Sequence, residues 1–350
     1  MSLVLLLIFL SCQANTPNKP NVIVIFTDDQ GYADLGVNGY GRDVKTPNLD
    51  LMAREGALCT DGYITAPQCS PSRAGMLTGR YQQRFGFDHI GTGPLPLSEV
   101  TFADRMREAG YHTGFVGKWH LEPNQSTVSW ARKELGYVDN IPFEKKLPYY
   151  PQNRGFDDFF KGDYTSRYWT NYGLDGEDRK IEGDWLEVNG WRVIIQTDAA
   201  LAFIKRNKDK PFFLYLAYFA PHTPLQAPEE YLSDFPGKMP ERRRYALAMI
   251  SAIDDGIGAI RRLLVELGLN RDTLIFFASD NGAPLDIDMK DVLPVTSPSN
   301  KWNGSLNNPW VGEKGMLMEG GVRVPFIVTW PGKIPAGTVI KEPVSSLDFL

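Results

Sequence analysis

Short apolar runs alternate with amphipathic segments along the chain after residue 20. Five runs of six or seven residues have the composition of buried strands: 21–27, 112–117, 212–218, 273–279 and 325–330. Continuous apolar runs of this length are typical of strands in a sheet that is covered on both faces. The pattern therefore predicts a central sheet between two layers of other structure.

Helical spacing fills several of the intervals between these runs. Residues 46–56 begin with a threonine followed by a proline, which is a common N-cap and first-turn pair. Residues 101–111 are also helical in spacing, and 239–268 form a long amphipathic segment that ends in glycine. Strands that alternate with helices predict an α/β fold with a mostly parallel central sheet flanked by helices.

Residues 123–192 break this alternation. They are rich in Asn, Gly, Asp, Tyr and Trp, and we expect a long excursion with little regular structure. It is either a surface loop with a few buried aromatic side chains or a wall of the substrate site. The second interpretation rests on the suitability of aromatic rings beside polar groups for binding sugar rings.

Composition and charge narrow the classes of function. The 350 residues suffice for one large domain or two of medium size, and the apolar fraction of 43% is that of a globular protein. The net charge is −5 and no run of Lys and Arg stands out. General nucleic-acid binding is therefore not expected, because it requires a basic face.

Residues 1–20 have the composition of an export signal. All eight residues from Leu3 to Leu10 are apolar, and small and polar residues follow. This stretch is too short to span a bilayer but suits a signal-peptide core. Ser11-Cys12 resembles a bacterial lipoprotein site, with Cys12 as the lipid anchor; the alternative is a secretory peptide cut near Ala14. We expect an exported protein that is periplasmic, anchored to the outer membrane or secreted.

Polar side chains follow four of the predicted strands directly. Asp28-Asp29 follow the first, Lys118 and His120 the second, His222 the third and Asp280-Asn281 the fourth. Ligands of open α/β sheets bind at the carboxyl ends of the strands, so these groups are expected on one rim. Adjacent carboxylates with an amide form an all-oxygen set that favours Ca²⁺ or Mg²⁺ over Zn²⁺. The alternative is that both acidic pairs are ordinary turn and cap residues.

Cys69 stands just before a helix that Pro71 is expected to begin, with Arg73 in its first turn. The helix N-terminus and the arginine would lower the pKa of the thiol and would also favour an anion. If the protein is exported, Cys59 and Cys69 could pair; if Cys69 is functional, Cys59 is a small core residue, which we prefer. These features predict a hydrolase of anionic esters with a metal and a nucleophile at position 69.

At these positions the chain resembles a type I sulfatase of the alkaline-phosphatase superfamily. The signature matches at Cys69, Ser70, Pro71, Ser72, Arg73, Leu77, Thr78, Gly79 and Arg80. Residues 117–121 resemble the second signature of that family, although Glu122 stands where glycine is usual. Family members carry a C-terminal subdomain, and the chain stops where that part would begin. We therefore expect the 21–350 catalytic domain to be truncated.

The resemblance implies conversion of Cys69 to formylglycine (3-oxoalanine) by a formylglycine-generating or anaerobic maturing enzyme. Its implied ligands for Ca²⁺, with Mg²⁺ as the alternative, are Asp28, Asp29, Asp280, Asn281 and the modified Cys69. The resemblance also implies that Arg73 and Lys118 hold the formylglycine and the metal-side charge. It implies that His222 and Lys314 contact the sulfate and that one of them assists the leaving alcohol. His120 would take a proton from the second hydroxyl of the hydrate. The implied substrate is a sulfate ester, and we expect a sulfated carbohydrate.

Two other functions stay open on the sequence. A related hydrolase of phosphate monoesters or diesters would share the fold and sometimes the formylglycine. The other is a non-catalytic protein that binds sulfated glycans, either because position 69 stays a cysteine or because the chain is an incomplete fragment.

Overall fold

A ten-stranded sheet forms the centre of the protein, in a computed structural model that describes residues 19–136, 140–162, 165–285 and 302–349. The strands of this sheet and of a separate two-stranded sheet are, in chain order, β1 (Asn21–Thr27), β2 (Ala57–Cys59), β3 (Gly62–Tyr63), β4 (His112–Gly117), β5 (Asp158–Lys161), β6 (Arg167–Thr170), β7 (Asp184–Glu187), β8 (Phe212–Ala217), β9 (Thr273–Ser279), β10 (Phe326–Thr329), β11 (Thr338–Ile340) and β12 (Val344–Ser345). β3 pairs with β12 in the small sheet.

The large sheet has the order β11-β2-β10-β9-β1-β8-β4-β5-β6-β7. Its five middle strands, from β9 to β5, are all parallel to one another. Antiparallel pairs lie on both sides of them, formed by β10 on one side and by β6 and β7 on the other. The predicted α/β fold is confirmed, and its parallel strands are the ones that carry the polar residues at their ends.

Helices cover both faces of the sheet. The α-helices among the described residues are α1 (Pro47–Glu55), α2 (Cys69–Thr78), α3 (Phe102–Glu108), α4 (Val128–Leu135), α5 (Phe143–Lys146), α6 (Arg192–Asn207), α7 (Glu229–Leu232), α8 (Glu241–Glu266) and α9 (Glu319–Val322). Ile23 and Ile25 of β1 pack in a core with α6 and α8, whereas Val24 and Phe26 pack with α2 and α3 on the other face. This alternation explains why β1 is apolar at every position from Val22 to Phe26.

The expectation of little regular structure in residues 123–192 is wrong. The segment contains α4 and α5, and it adds β5, β6 and β7 to the edge of the central sheet. These strands are only four residues long, so they carry too little periodicity to be recognised. The aromatic side chains of β5 and β6 pack in the two cores, as Phe159, Tyr168 and Trp169 do.

Residues 1–18, which include Cys12, lie outside the described residues, so the export signal and the lipid anchor stay predictions. No helix among the described residues is both long and apolar enough to cross a membrane. Cys59 and Cys69 are both buried and form no disulfide, which confirms the interpretation of Cys59 as a small core residue.

Candidate active site

The ends of β1 and β9 bring the predicted acidic residues together. The two strands are parallel neighbours with Thr27 opposite Ser279, so the residues that follow them leave the sheet side by side. Ligand atoms of Asp28, Asp29, Asp280 and Cys69 all lie within 4.8 Å of one another. We call these four residues the acidic cluster. All four are buried, so the mutual repulsion of the three carboxylates is weakly screened by water.

Cys69 is the first residue of α2, and the whole of this helix is buried. Its Sγ lies 3.4 Å from Asp28 Oδ1 and 4.0 Å from Asp29 Oδ1. Burial, reinforced by the negative charges of Asp28 and Asp280, raises the pKa of the thiol. The expectation that the helix N-terminus would lower this pKa is therefore wrong, because desolvation and two carboxylates outweigh the dipole.

Four positively charged or titratable side chains surround the acidic cluster. Arg73, one turn after Cys69, binds Asp280 Oδ2 through Nη2 at 2.7 Å. Lys118 Nζ binds Asp28 Oδ2, and Lys314 Nζ lies 2.8 Å from Asp29. His222 Nε2 lies 3.6 Å from Asp29 Oδ2. These four side chains thus contact the acidic cluster directly, and His120 interacts electrostatically with Lys118 and Asp28. The role of each residue stays a prediction.

The charges of the site shift the pKa values of its carboxyl groups in opposite directions. Burial alone would raise the pKa of Asp28, but Lys118, His222 and Arg73 hold it below its ordinary range. Burial and the negative charge of Asp28 raise the pKa of Asp280 to about 6. Burial and Asp28 therefore outweigh the opposing effect of Arg73 on the pKa of Asp280.

The acidic cluster and Asn281 fit a bound divalent cation. Asn281 donates from Nδ2 to Asp29 Oδ1 at 2.6 Å and to Gly282 O at 2.9 Å. Its Oδ1 is buried and has no hydrogen-bond partner. A buried acceptor without a donor beside three carboxylates is what a hard cation would satisfy.

The two predicted histidines lie in different settings. His120 has a left-handed backbone with φ of 59°, and its buried Nδ1 has no partner. Burial and Lys118 lower the pKa of His120 well below its ordinary value. His222 donates from Nδ1 to Thr223 O at 2.5 Å, which turns Nε2 towards Asp29. Burial lowers the pKa of His222 to about 4.

Glu122, the departure from the second signature, has a buried partner. Its Oε1 lies 2.8 Å from Lys161 Nζ at the end of β5, and both side chains are about nine-tenths buried. The strand that supplies Lys161 belongs to the segment that was expected to be irregular. The family glycine is thus replaced here by one half of an ion pair that links the end of β4 to β5.

Two residues of the site were not singled out from the sequence. Tyr215 lies within the apolar run of β8, and its hydroxyl accepts from Arg73 Nη1 at 3.4 Å. Asn303 donates from Nδ2 to Asp29 O at 3.0 Å. The abundance of Asn in residues 300–308 was the available signal for the second, whereas nothing distinguished Tyr215 from its apolar neighbours.

Comparison with known proteins agrees with this geometry. The Sulfatase family model matches residues 20–350. The chain is 34% identical to the N-acetylgalactosamine-6-sulfatase of Canis lupus familiaris over 366 residues, which cover 96% of this chain and 62% of the relative. It thus spans less than two thirds of that relative's length.

Solved structures give the same result. The crystal structure of Ps i-CgsB in complex with k-i-k-neocarrahexaose superposes with a TM-score of 0.73 at 31% identity, covering 95% of this chain and 70% of that one. The PsFucS1 sulfatase from Pseudoalteromonas sp. has a TM-score of 0.71 at 27% identity, covering 95% of this chain and 66% of that one. The phosphonate monoester hydrolase of Agrobacterium radiobacter, at 21% identity and a TM-score of 0.57, shares the fold. The chain therefore belongs to the sulfatase family, among the type I members of the alkaline-phosphatase superfamily.

Proposed function

We propose that this protein hydrolyses sulfate esters of carbohydrates at the acidic cluster. The observation that carries the proposal is the position of Cys69, whose Sγ lies 3.4 Å from Asp28 Oδ1 among buried carboxylates that four cationic or titratable side chains surround. The printed names of the relatives support the substrate class, since one is an N-acetylgalactosamine-6-sulfatase and another binds a neocarrahexaose.

The sulfate group would be held by side chains that are already close together. Lys118, His222 and Lys314 converge on Asp28 and Asp29, and the side chains of the last two are 26% and 18% exposed. They can therefore be reached from solvent, unlike Arg73, which is fully buried. We assign Arg73 and Lys118, whose side chains are buried, to holding the residue at position 69 and the metal-side charge, and His222 and Lys314 to binding the sulfate oxygens.

Asp28, Asp29, Asp280 and Asn281, with the residue at position 69, would hold the cation, and we propose Ca²⁺ because the donors are oxygens. A bound divalent cation would neutralise charge on the sulfate oxygens. We further propose that a maturing enzyme converts Cys69 to formylglycine, whose hydrate supplies a nucleophilic hydroxyl. The buried thiol itself is a weak nucleophile because its pKa is raised.

Two histidines would handle the protons. His120 is held neutral by a lowered pKa, and its Nδ1 has no partner, so we assign it to accepting a proton from the group at position 69. His222 has its Nδ1 fixed by Thr223. Because the neutral ring carries its proton on Nδ1, His222 would have to take up a second proton on Nε2 before it could assist the leaving alcohol. Otherwise the Nζ of Lys314 beside it would donate that proton.

Matched aryl esters test the reaction class. We expect purified protein to release 4-nitrophenol from the sulfate with a higher kcat/KM than from the phosphate. Cys69→Ala should abolish the release and keep the fold, whereas Cys59→Ala should retain it. A higher kcat/KM for the phosphate would identify the protein as a phosphoesterase instead. If preparations that carry formylglycine hydrolyse neither ester, glycan binding would be the remaining function.

We also propose export, on the basis of residues 1–20. Cell fractionation of the wild type and of Cys12→Ala tests this. An anchored lipoprotein should move from the membrane fraction to the soluble exported fraction in the variant, whereas a secreted protein should be unaffected. Retention of both inside the cell would contradict export.

A further inference from the structure

Arg192 is a buried guanidinium whose donors are mostly unused. It is the first residue of α6, and 4% of its surface is exposed. Nη2 donates to Pro224 O, but Nε and Nη1 have no hydrogen-bond partner. No carboxylate of the described residues forms a salt bridge with it.

Arg192 lies beside the anion-binding side chains. Its Cζ is 4.7 Å from the centre of the Phe219 ring, and Lys118 Nζ is 5.2 Å from the same centre. The two cationic groups are therefore less than 10 Å apart. The ring of His222 lies 5.0 Å from that of Phe219, so Arg192, Lys118 and His222 all contact one aromatic side chain.

The neighbouring structure fixes this arrangement. Gln196, one turn further along α6, accepts a hydrogen bond from the backbone N–H of Phe219 at 3.3 Å. The first turn of α6 is thus attached to the segment that carries His222. Only the half-buried Trp191 separates Arg192 from the exposed residues Asn189 and Gly190, so α6 begins close to the protein surface.

A buried arginine without acceptors is unfavourable unless an anion completes its hydrogen bonds. Arg154 is a useful contrast within the same protein, because its guanidinium is equally buried but donates to the carbonyl oxygens of Leu95, Pro96 and Glu99. Arg192 has only the one carbonyl. Its missing acceptors are best supplied by a ligand that binds next to the sulfate.

We propose that Arg192 binds a second oxyanion of the substrate, a carboxylate or a further sulfate group on the same sugar ring or on the adjoining one. The inference rests on the proposed hydrolysis of carbohydrate sulfates and adds that the preferred substrate carries at least two anionic groups. The upper limit of 10 Å on the distance between Arg192 Cζ and Lys118 Nζ is within the span of substituents on one or two sugar rings.

Kinetics with paired saccharides test this role. Each pair shares one scissile sulfate; one member carries a second anionic group, a uronic carboxylate in the first pair and a second sulfate in the other. For each pair, we compare the kcat/KM of the dianionic member with that of the monoanionic member. In one pair, we expect Arg192→Met to lower this ratio about 10- to 100-fold, which is the range expected when charge-assisted hydrogen bonds are lost. The pair that responds identifies the anion. Lys205→Met, at the far end of α6, is the control for net charge.

A kcat/KM ratio that is unchanged in both pairs would overturn the proposal. This holds also if both members of a pair lose activity equally, because such a loss would mean only that the segment carrying His222 has shifted. Arg192→Lys, which keeps the charge, should show a smaller fall and serves if the methionine variant is unstable. If the wild type hydrolyses no sulfate ester, the proposed function fails, but the role of Arg192 can still be tested by binding. Calorimetry would then compare the affinities of the same pairs for Cys69→Ala and for Cys69→Ala/Arg192→Met. We expect the ratio of affinities to fall by the same factor in the double variant.

Discussion

Arg73 binds one oxygen of Asp280 twice, through Nε at 2.9 Å and through Nη2 at 2.7 Å. Both donors reach Oδ2, while Oδ1 accepts from the backbone N–H of Asp29 at 3.2 Å. Arg73 thereby fixes the orientation of the carboxylate through Oδ2 and makes no hydrogen bond to Oδ1. Arg73 also donates from Nη1 to Lys118 O at 3.0 Å, so one guanidinium joins the ends of β4 and β9.

Removal of this arginine should damage both stability and turnover. We expect Arg73→Met to lower the free energy of unfolding by about 3–5 kcal/mol, since it leaves a buried carboxylate without its partner. Turnover should be lost even where the variant is folded, as judged by urea denaturation and circular dichroism. Arg107→Met is the matched control, because Arg107 forms an exposed pair with Asp104 and should cost less than about 1 kcal/mol. Comparable losses in both variants would contradict the role of Arg73.

Metal removal should abolish activity reversibly. We expect dialysis against a chelator to stop turnover and to lower the Tm, because three buried carboxylates then repel each other. Added Ca²⁺ should restore both. In Asn281→Ala the rise of Tm with Ca²⁺ should be weaker, since the unpartnered Oδ1 is gone, whereas Asn153→Ala on the surface should respond like the wild type. Full activity and an unchanged Tm in metal-free protein would contradict the cation site.

The Arg243–Asp34 pair should matter for stability away from the chemistry. Arg243 Nη1 lies 2.7 Å from Asp34 Oδ1, and both side chains are almost completely buried. We expect Arg243→Met to cost about 3–5 kcal/mol and the double variant Arg243→Met/Asp34→Leu to recover part of that loss. Arg244→Met, next in sequence and partly exposed, should cost less than about 1 kcal/mol. A double variant less stable than Arg243→Met would be the contradictory result in urea titrations.

Acid should lower the contribution of Asp158, the first residue of β5, to the free energy of unfolding. Burial would raise the pKa of Asp158, but His112 and Arg206 hold it below its ordinary value of 3.8. The carboxylate therefore stabilises the fold above the pKa of the unfolded chain, about 4, and this contribution is lost as the pH falls through the lower folded value. In urea titrations the wild type should be more stable than Asp158→Asn at pH 6, and the difference should shrink towards pH 3. A difference that grows on acidification would contradict this assignment.

The strand-end residues could be predicted from the sequence because the rule that places them is local. Asp28-Asp29 and Asp280-Asn281 each follow a strongly apolar run, and parallel strands bring such positions together whatever lies between. Cys69 and Arg73 were found through a motif that occupies one helix turn. The strands β6 and β7 could not be found, because each is only four residues long and too short to show a periodic pattern, although they form a local antiparallel meander with β5.

Properties that depend on the complete environment were also out of reach. The direction of the shift in the pKa of Cys69 follows from burial and from two carboxylates on other strands, whereas the sequence shows only the helix and the nearby arginine. The contact of Arg192 with Phe219 joins α6 to the segment after β8. Both residues are unremarkable in sequence, and only the fold places them next to Lys118.

The central claim is that residue 69, as formylglycine, is the reacting group of a sulfatase centre. Mass spectrometry of the peptide that contains Cys69, run on the same preparations whose sulfate release is measured, tests it most directly. We predict a mass about 18 Da below that of the thiol form, from replacement of the thiol by an aldehyde, and activity in proportion to the converted fraction. Full activity in protein whose residue 69 is entirely unmodified cysteine would contradict the account.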